Sequence, residues 1–203
     1  PRRSTLPDEV LESNSGEMVR ATEYRSILGS LMYLCCGTRP DLLYSINLLA
    51  RYSTNLSEKH WIALDHLLGY LKRTKRLVLE FSGGNGGMQL WSDANWGGEL
   101  ERSTSGFLVR HNGNCVAWGS KRQNVVALST CAAEYVALSD GSQHLAHLNN
   151  LLIDIDHVTP LEIFCDNKVA ILIAGDNAAK EKKPNISPEH FISSMTLSTN
   201  TIS

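Results

Sequence analysis

Two apolar runs in the second half of the chain end alike, Leu90-Trp91-Ser92-Asp93-Ala94-Asn95 and Ile163-Phe164-Cys165-Asp166-Asn167. The carboxyl ends of strands border the crevice where α/β sheets bind ligands, so an Asp at such a position can project into it. Asp is also a common turn or cap residue, and for either one alone that structural reading stands beside the functional one. Glu134 is a less ordinary signal. Leu138, Gly141, Leu145, Leu148 and Leu152 recur at spacings of three and four as the apolar stripe of a long helix, and Glu134 lies one turn ahead on that stripe. A carboxylate there points at the sheet, where burial raises its pKa, so a cation or metal partner is the natural resolution; the helix N-terminus adds support. A capping box fits poorly, because with Thr130 as N-cap Glu134 falls one position past N3. Three carboxylates from two strand ends and one inward helix face suit a pair of hard divalent ions, which take oxygen ligands. The best-known use of such a pair is in-line displacement at a phosphodiester.

The elements that must position these residues follow from periodicity. After an aperiodic stretch over 1–21, read as a tail or linker, Ile27, Leu28, Leu31, Met32 and Leu34 begin a helical pattern that stops near Gly37 to Pro40. A second run holds Leu42, Leu43, Ile46 and Leu49. A third opens at Ser57-Glu58-Lys59 and closes on Lys72, Arg73, Lys75 and Arg76, a basic cluster that complements the helix dipole or meets phosphate. The glycine-dense segment Ser82-Gly83-Gly84-Asn85-Gly86-Gly87 marks a domain boundary. Beyond it the pattern predicts strands over 88–93, 105–110 and 115–120, a long helix capped by Ser129 or Thr130, a strand over 161–166, a short helix over 169–174 and a final one over 188–194. The expected class is therefore mixed α/β, ordered βββαβα with an antiparallel start, preceded by a small helical segment. The domains are 1–21, 22–82, 83–192 and a Ser/Thr-rich tail over 193–203.

Composition sets the outer limits. A chain of 203 residues, 42% apolar and 20% charged, can close an ordinary core. No apolar run approaches membrane-spanning length, and no secretory signal follows the opening Pro1-Arg2-Arg3. Cys35, Cys36, Cys115, Cys131 and Cys165 form no Cys-x-x-Cys pair, which argues against a disulfide framework or structural zinc and for a reducing, intracellular, cytoplasmic setting. Residues 1–80 carry 11 Lys+Arg against 9 Asp+Glu, whereas 81–203 carry 8 against 12. An acidic second half leans against a plain nucleic-acid binder and suits carboxylates gathered for metal. No Gly-x-Ser-x-Gly elbow supports a serine nucleophile.

These residues also carry a resemblance. Ser92-Asp93-Ala94-Asn95-Trp96-Gly97-Gly98, Arg102-Ser103-Thr104-Ser105-Gly106-Phe107, Ala117-Trp118-Gly119-Ser120-Lys121-Arg122-Gln123, Ala133-Glu134-Tyr135 and Cys165-Asp166-Asn167 resemble the ribonuclease H domain of Ty1/copia-type retrotransposon polyproteins. Upstream, the stretch from Tyr24 through Leu34, then Thr38-Arg39-Pro40-Asp41, and His60-Trp61 through Lys72 resemble the end of the reverse transcriptase in the same polyproteins. The resemblance implies a ribonuclease H-like fold and two-metal hydrolysis of the RNA strand of an RNA/DNA hybrid, with two Mg²⁺, or Mn²⁺ in their place. It makes Asp93, Glu134 and Asp166 the catalytic metal ligands. It implies as partners the hybrid and the remainder of the polyprotein, inside a virus-like particle where the element is intact. Lys121, Arg122, Gln123 and Asn167 are candidates for substrate contacts.

One departure stands out. The family has a fourth metal-binding Asp shortly before a final His-Phe helix, and counting back from His190-Phe191 places Ile186 there. Glu189 and Asp176 are the candidate replacements. The alternative expectation is an inactive, truncated or host-adopted module that binds nucleic acid or a protein.

Overall fold

The structure is a computed structural model that describes residues 21–98, 101–180 and 196–198, with side chains over 21–98 and 101–175. It divides into two compact units, Pro1–Leu79 and Glu80–Ser203.

The first unit contains helices α1 (Ala21–Gly37), α2 (Leu43–Ala50) and α3 (Glu58–Arg73), with a 3₁₀ turn at Pro40–Leu42. Of the apolar positions that predicted the helices, Leu28 and Leu31 of α1, Ile46 and Leu49 of α2 and Leu67 of α3 are buried, as is Leu64 of α3. Tyr24 joins them, its hydroxyl donating to the Leu49 carbonyl at 3.1 Å and its ring meeting Trp61 edge-on. Helix α3 starts on a reciprocal cap, in which the Ser57 backbone N–H donates to Nδ1 of buried His60 at 2.9 Å. His60 also stacks on Tyr52 at 4.4 Å. Lys72, Arg73, Lys75 and Arg76 are exposed.

The second unit is a mixed five-stranded sheet in the order β3-β2-β1-β4-β5, with β1 (Met88–Asn95), β2 (Thr104–His111), β3 (Asn114–Arg122), β4 (Leu161–Cys165) and β5 (Thr196–Ser198). The expected antiparallel start is present: β1 pairs with β2 and β2 with β3. The β2–β3 hairpin turns on Asn112-Gly113, both at positive φ, as a two-residue loop requires. Strand β4 then pairs with β1 in parallel. Strand β5 lies in the Ser/Thr-rich tail, where no element was expected, and pairs in parallel with β4 through Glu162↔Thr196 and Phe164↔Ser198.

Helix α4 (Thr130–Asp154) lies on this sheet and α5 (Lys168–Lys180) packs beside it. Leu138 and Leu145 of α4 meet Leu90, Val109 and Ile163, and Ala170 and Ala174 bring α5 onto the same core. Gly141 is the point of closest helix-to-sheet approach, since a Cβ there would crowd Leu90 and Phe107. Helix α5 extends six residues past the predicted 169–174. The final helix expected over 188–194 lies outside the described residues. No described helix is long and apolar enough to cross a membrane.

Candidate metal centre

Strands β1 and β4 run side by side in parallel, and their pairing ends at Ser92↔Cys165. Asp93 and Asp166 are therefore each one residue beyond that last shared rung, at the same end of adjacent strands. Asp93 has not left the sheet, because β1 continues its ladder with β2 through Asp93↔Gly106 to Asn95↔Thr104. Both aspartates are exposed.

Ser129 is the N-cap of α4, its hydroxyl accepting from Ala132 N–H at 3.1 Å. This start places Glu134 in the second turn on the buried face, 7% exposed. The Ala94 N–H donates to its carboxylate, tying Glu134 to the backbone immediately after Asp93. The other oxygen, Oε2, is buried with no hydrogen-bond partner. Burial, then the Asp93 charge and more weakly that of Asp166 push Glu134 up to about 7, against the lowering effect of the Ala94 N–H. Ligand atoms of Glu134, Asp166 and Cys165 lie within 4.8 Å of one another. The tight group thus contains two of the three expected carboxylates, with Asp93 beside it as the strongest charge acting on Glu134.

Two side chains hold α4 in position, and neither role was anticipated. Gln123 is not a surface contact as expected but a buried strut, 1% exposed. Its Nε2 donates to Ser105 Oγ at 3.0 Å and to the Ala133 carbonyl at 2.8 Å, joining β2 to the residue before Glu134. Trp96 Nε1 donates to the Ala127 carbonyl at 2.9 Å and fixes the loop that leads into α4. Asn167 is likewise committed to the fold, its Oδ1 capping α5 by accepting from Val169 and Ala170 N–H at 3.0 Å each. Lys121 and Arg122 are exposed, with Lys121 Nζ 3.9 Å from Asp140. The cross-strand register aligns them with Ala94 and Asn95 two strands away, about 10 Å across the sheet.

Glu189 and Ile186 fall outside the described residues. Asp176 lies on α5, whose rise carries its Cα roughly 12 Å from Lys168 at the helix start, away from Asp166. Cys165 was weighed only among five cysteines without a Cys-x-x-Cys pair; the signal missed was its phase, since Ile163 and Cys165 share the face of β4 that α4 covers.

The fold and the acidic centre at its strand ends define a ribonuclease H-like domain. Over 97% of this chain and 41% of the other, the structure is similar to that of a foamy viral protease-reverse transcriptase in complex with dsDNA, at a TM-score of 0.52 and 14% sequence identity. The chain is 34% identical over 197 residues to a retrovirus-related Pol polyprotein from transposon RE2 of Arabidopsis thaliana, covering 93% of this chain and 13% of the polyprotein. It is 43% identical over 128 residues to a secreted RxLR effector protein of Plasmopara viticola, covering 62% of this chain and 90% of the effector. No protein-family model matches. The chain belongs to the Ty1/copia-type retrotransposon Pol polyproteins, in their ribonuclease H region. It spans about an eighth of the length of the polyprotein relatives.

Proposed function

We propose that the chain is a metal-dependent endonuclease of ribonuclease H type that hydrolyses the RNA strand of an RNA/DNA hybrid, with 83–192 as the nuclease and 22–82 as the end of a reverse transcriptase. The observation that carries this reading is Glu134, a buried carboxylate with one oxygen, Oε2, left without a partner, grouped with Asp166 and acted on by the Asp93 charge. Two exposed like charges gathered around one buried carboxylate fit hard divalent cations, and the three carboxylates meet the preference of Mg²⁺ or Mn²⁺ for oxygen ligands. Glu134 and Asp166 would hold the ions from the helix and from β4, and Asp93 from β1. When bound, a pair of such ions supplies activation of the attacking water and neutralisation of charge at the leaving oxygen.

The remaining work belongs to the chain. The Ala94 N–H orients the Glu134 carboxylate, and Gln123 keeps the first turns of α4 from shifting along β2. Lys121 and Arg122 stand where phosphates of a hybrid entering the strand ends would pass, and recognition by A-like shape and backbone leaves little sequence preference. The remainder of the polyprotein would be the second partner, inside the cell and within the particle of an intact element.

A labelled RNA/DNA hybrid incubated with the full chain and Mg²⁺ or Mn²⁺ tests this. RNA-strand cleavage is expected, and Asp93→Asn abolishes it. Equal cleavage by both proteins, or by neither, overturns the reading. One observation favours a second reading, an adopted module without catalysis: a secreted effector is matched over 90% of its length. Hybrid binding without cleavage would support that alternative.

A further inference from the structure

We propose that Cys165 is a third, sulfur donor at the Glu134/Asp166 centre, which lets it take a thiophilic divalent ion, Zn²⁺ or Cd²⁺, in competition with hard ions. The inference rests on the reading above only in treating this centre as a metal site. It concerns a different ion and a residue that reading leaves unused.

The Cys165 thiol is 2% exposed and closes β4, one residue before Asp166. Its Sγ lies within 4.8 Å of carboxylate oxygens of both Glu134 and Asp166. Independently of the cysteine, Glu134, a member of that group, is 7% exposed and has one carboxylate oxygen, Oε2, buried without a partner. Two oxygens and one sulfur are three protein donors with a fourth position left open, the arrangement zinc adopts where it keeps an exchangeable ligand. Bonds of about 2.0 to 2.3 Å put donors of one tetrahedral ion roughly 3.3 to 3.8 Å apart, so the group must contract by about an ångström. Mg²⁺ gains nothing from sulfur, whereas Zn²⁺ and Cd²⁺ do, so the thiol discriminates between the two kinds of ion. Binding converts the thiol to a thiolate and releases its proton to solvent. A soft ion seated there occupies Glu134 and Asp166 and displaces hard ions from them.

Cadmium titration of the full chain, followed by the ultraviolet thiolate-to-cadmium charge-transfer band, tests the proposal. One site is expected. Cys165→Ser removes its band, Glu134→Gln weakens it by at least about tenfold, the scale on which even outer partners of a metal act, and excess Mg²⁺ lowers the apparent Cd²⁺ affinity. Cys115→Ser, altered on β3, leaves the band in place. Unchanged amplitude and affinity in Cys165→Ser overturns the proposal. Should that variant fail to fold by circular dichroism, unchanged affinity in Glu134→Gln overturns it instead. Because the titration reads binding without hydrolysis, an inactive chain with an intact band defeats the nuclease reading alone. An active chain without the band defeats this inference alone.

Discussion

In the helical unit, Asp41 accepts from Arg39 Nε and Nη2 at 2.9 and 2.7 Å and from the Tyr70 hydroxyl at 3.0 Å. Arg39 in turn donates to the Thr74 carbonyl and hydroxyl, so the pair fastens the end of α3 to the turn between α1 and α2. Burial works to raise the Asp41 carboxyl, but the Arg39 and Tyr70 hydrogen bonds outweigh it and hold the group below its ordinary value. Glu134 in the sheet unit receives one backbone N–H and faces two like charges, and it is pushed the other way. The difference lies in where the counter-charge comes from. Asp41 has its cation built into the fold. Glu134 is held in place without one, which is stable only as a neutral acid or with a cation from outside.

Glu134→Gln should produce the largest change, cutting hybrid cleavage about a thousandfold, as loss of several kcal/mol of charge stabilisation implies. Single-turnover rates check it. The same residue sets a pH dependence in the metal-free chain. Because its folded-state pKa, about 7, exceeds the ordinary 4.5, its contribution is complete below about 4.5 and is lost as pH rises through about 7. The loss is roughly 3 kcal/mol. Urea midpoints across that range should fall in the native chain and stay level in Glu134→Gln or with saturating divalent ion. Asp41 tilts the opposite way, its contribution being lost as pH falls through its lowered pKa.

Arg39→Met strikes the other side of the comparison and should cost about 2 kcal/mol, less than a fully buried pair because Asp41 is partly open to water. Slowed hydrogen exchange in α3 should be lost with it. Gln123→Leu should cost about 1.5 kcal/mol by leaving the Ala133 carbonyl and Ser105 without their donor. It should lower cleavage as well, because Glu134 is the next residue on the helix. Trp96→Phe is the smallest, at about 1 kcal/mol for one hydrogen bond. Thermal melts of the full chain measure both.

The three carboxylates were readable because their placement depends on local periods: Asp93 and Asp166 end apolar runs, and Glu134 is in phase with Leu138 and Leu145. Gln123 was not, since it stands among exposed Lys121, Arg122 and Asn124 and is buried only because β2 and α4 close over it. His60 was similarly opaque, its role being set by a cap with Ser57 and by Tyr52 stacked above it. Arg39 and Asp41 could be noted as a motif, but Thr74, which completes their network, is 35 residues from Arg39. Strand β5 carries only Thr196-Leu197-Ser198, too short to show alternation, and exists by pairing with β4.

The glycine-dense segment before β1, read from sequence as a domain boundary, is itself sewn to the sheet unit. Ser82 N–H donates to Asn114 Oδ1 at 2.7 Å and Gly86 N–H to Asn112 Oδ1 at 3.0 Å, while Gly87 sits so close to the Pro160 carbonyl that no side chain would fit. Anyone excising the nuclease for expression should therefore cut ahead of Ser82. A start at Met88 would strip the β2–β3 hairpin of a brace that holds its tip and the entry to β4 against the first strand.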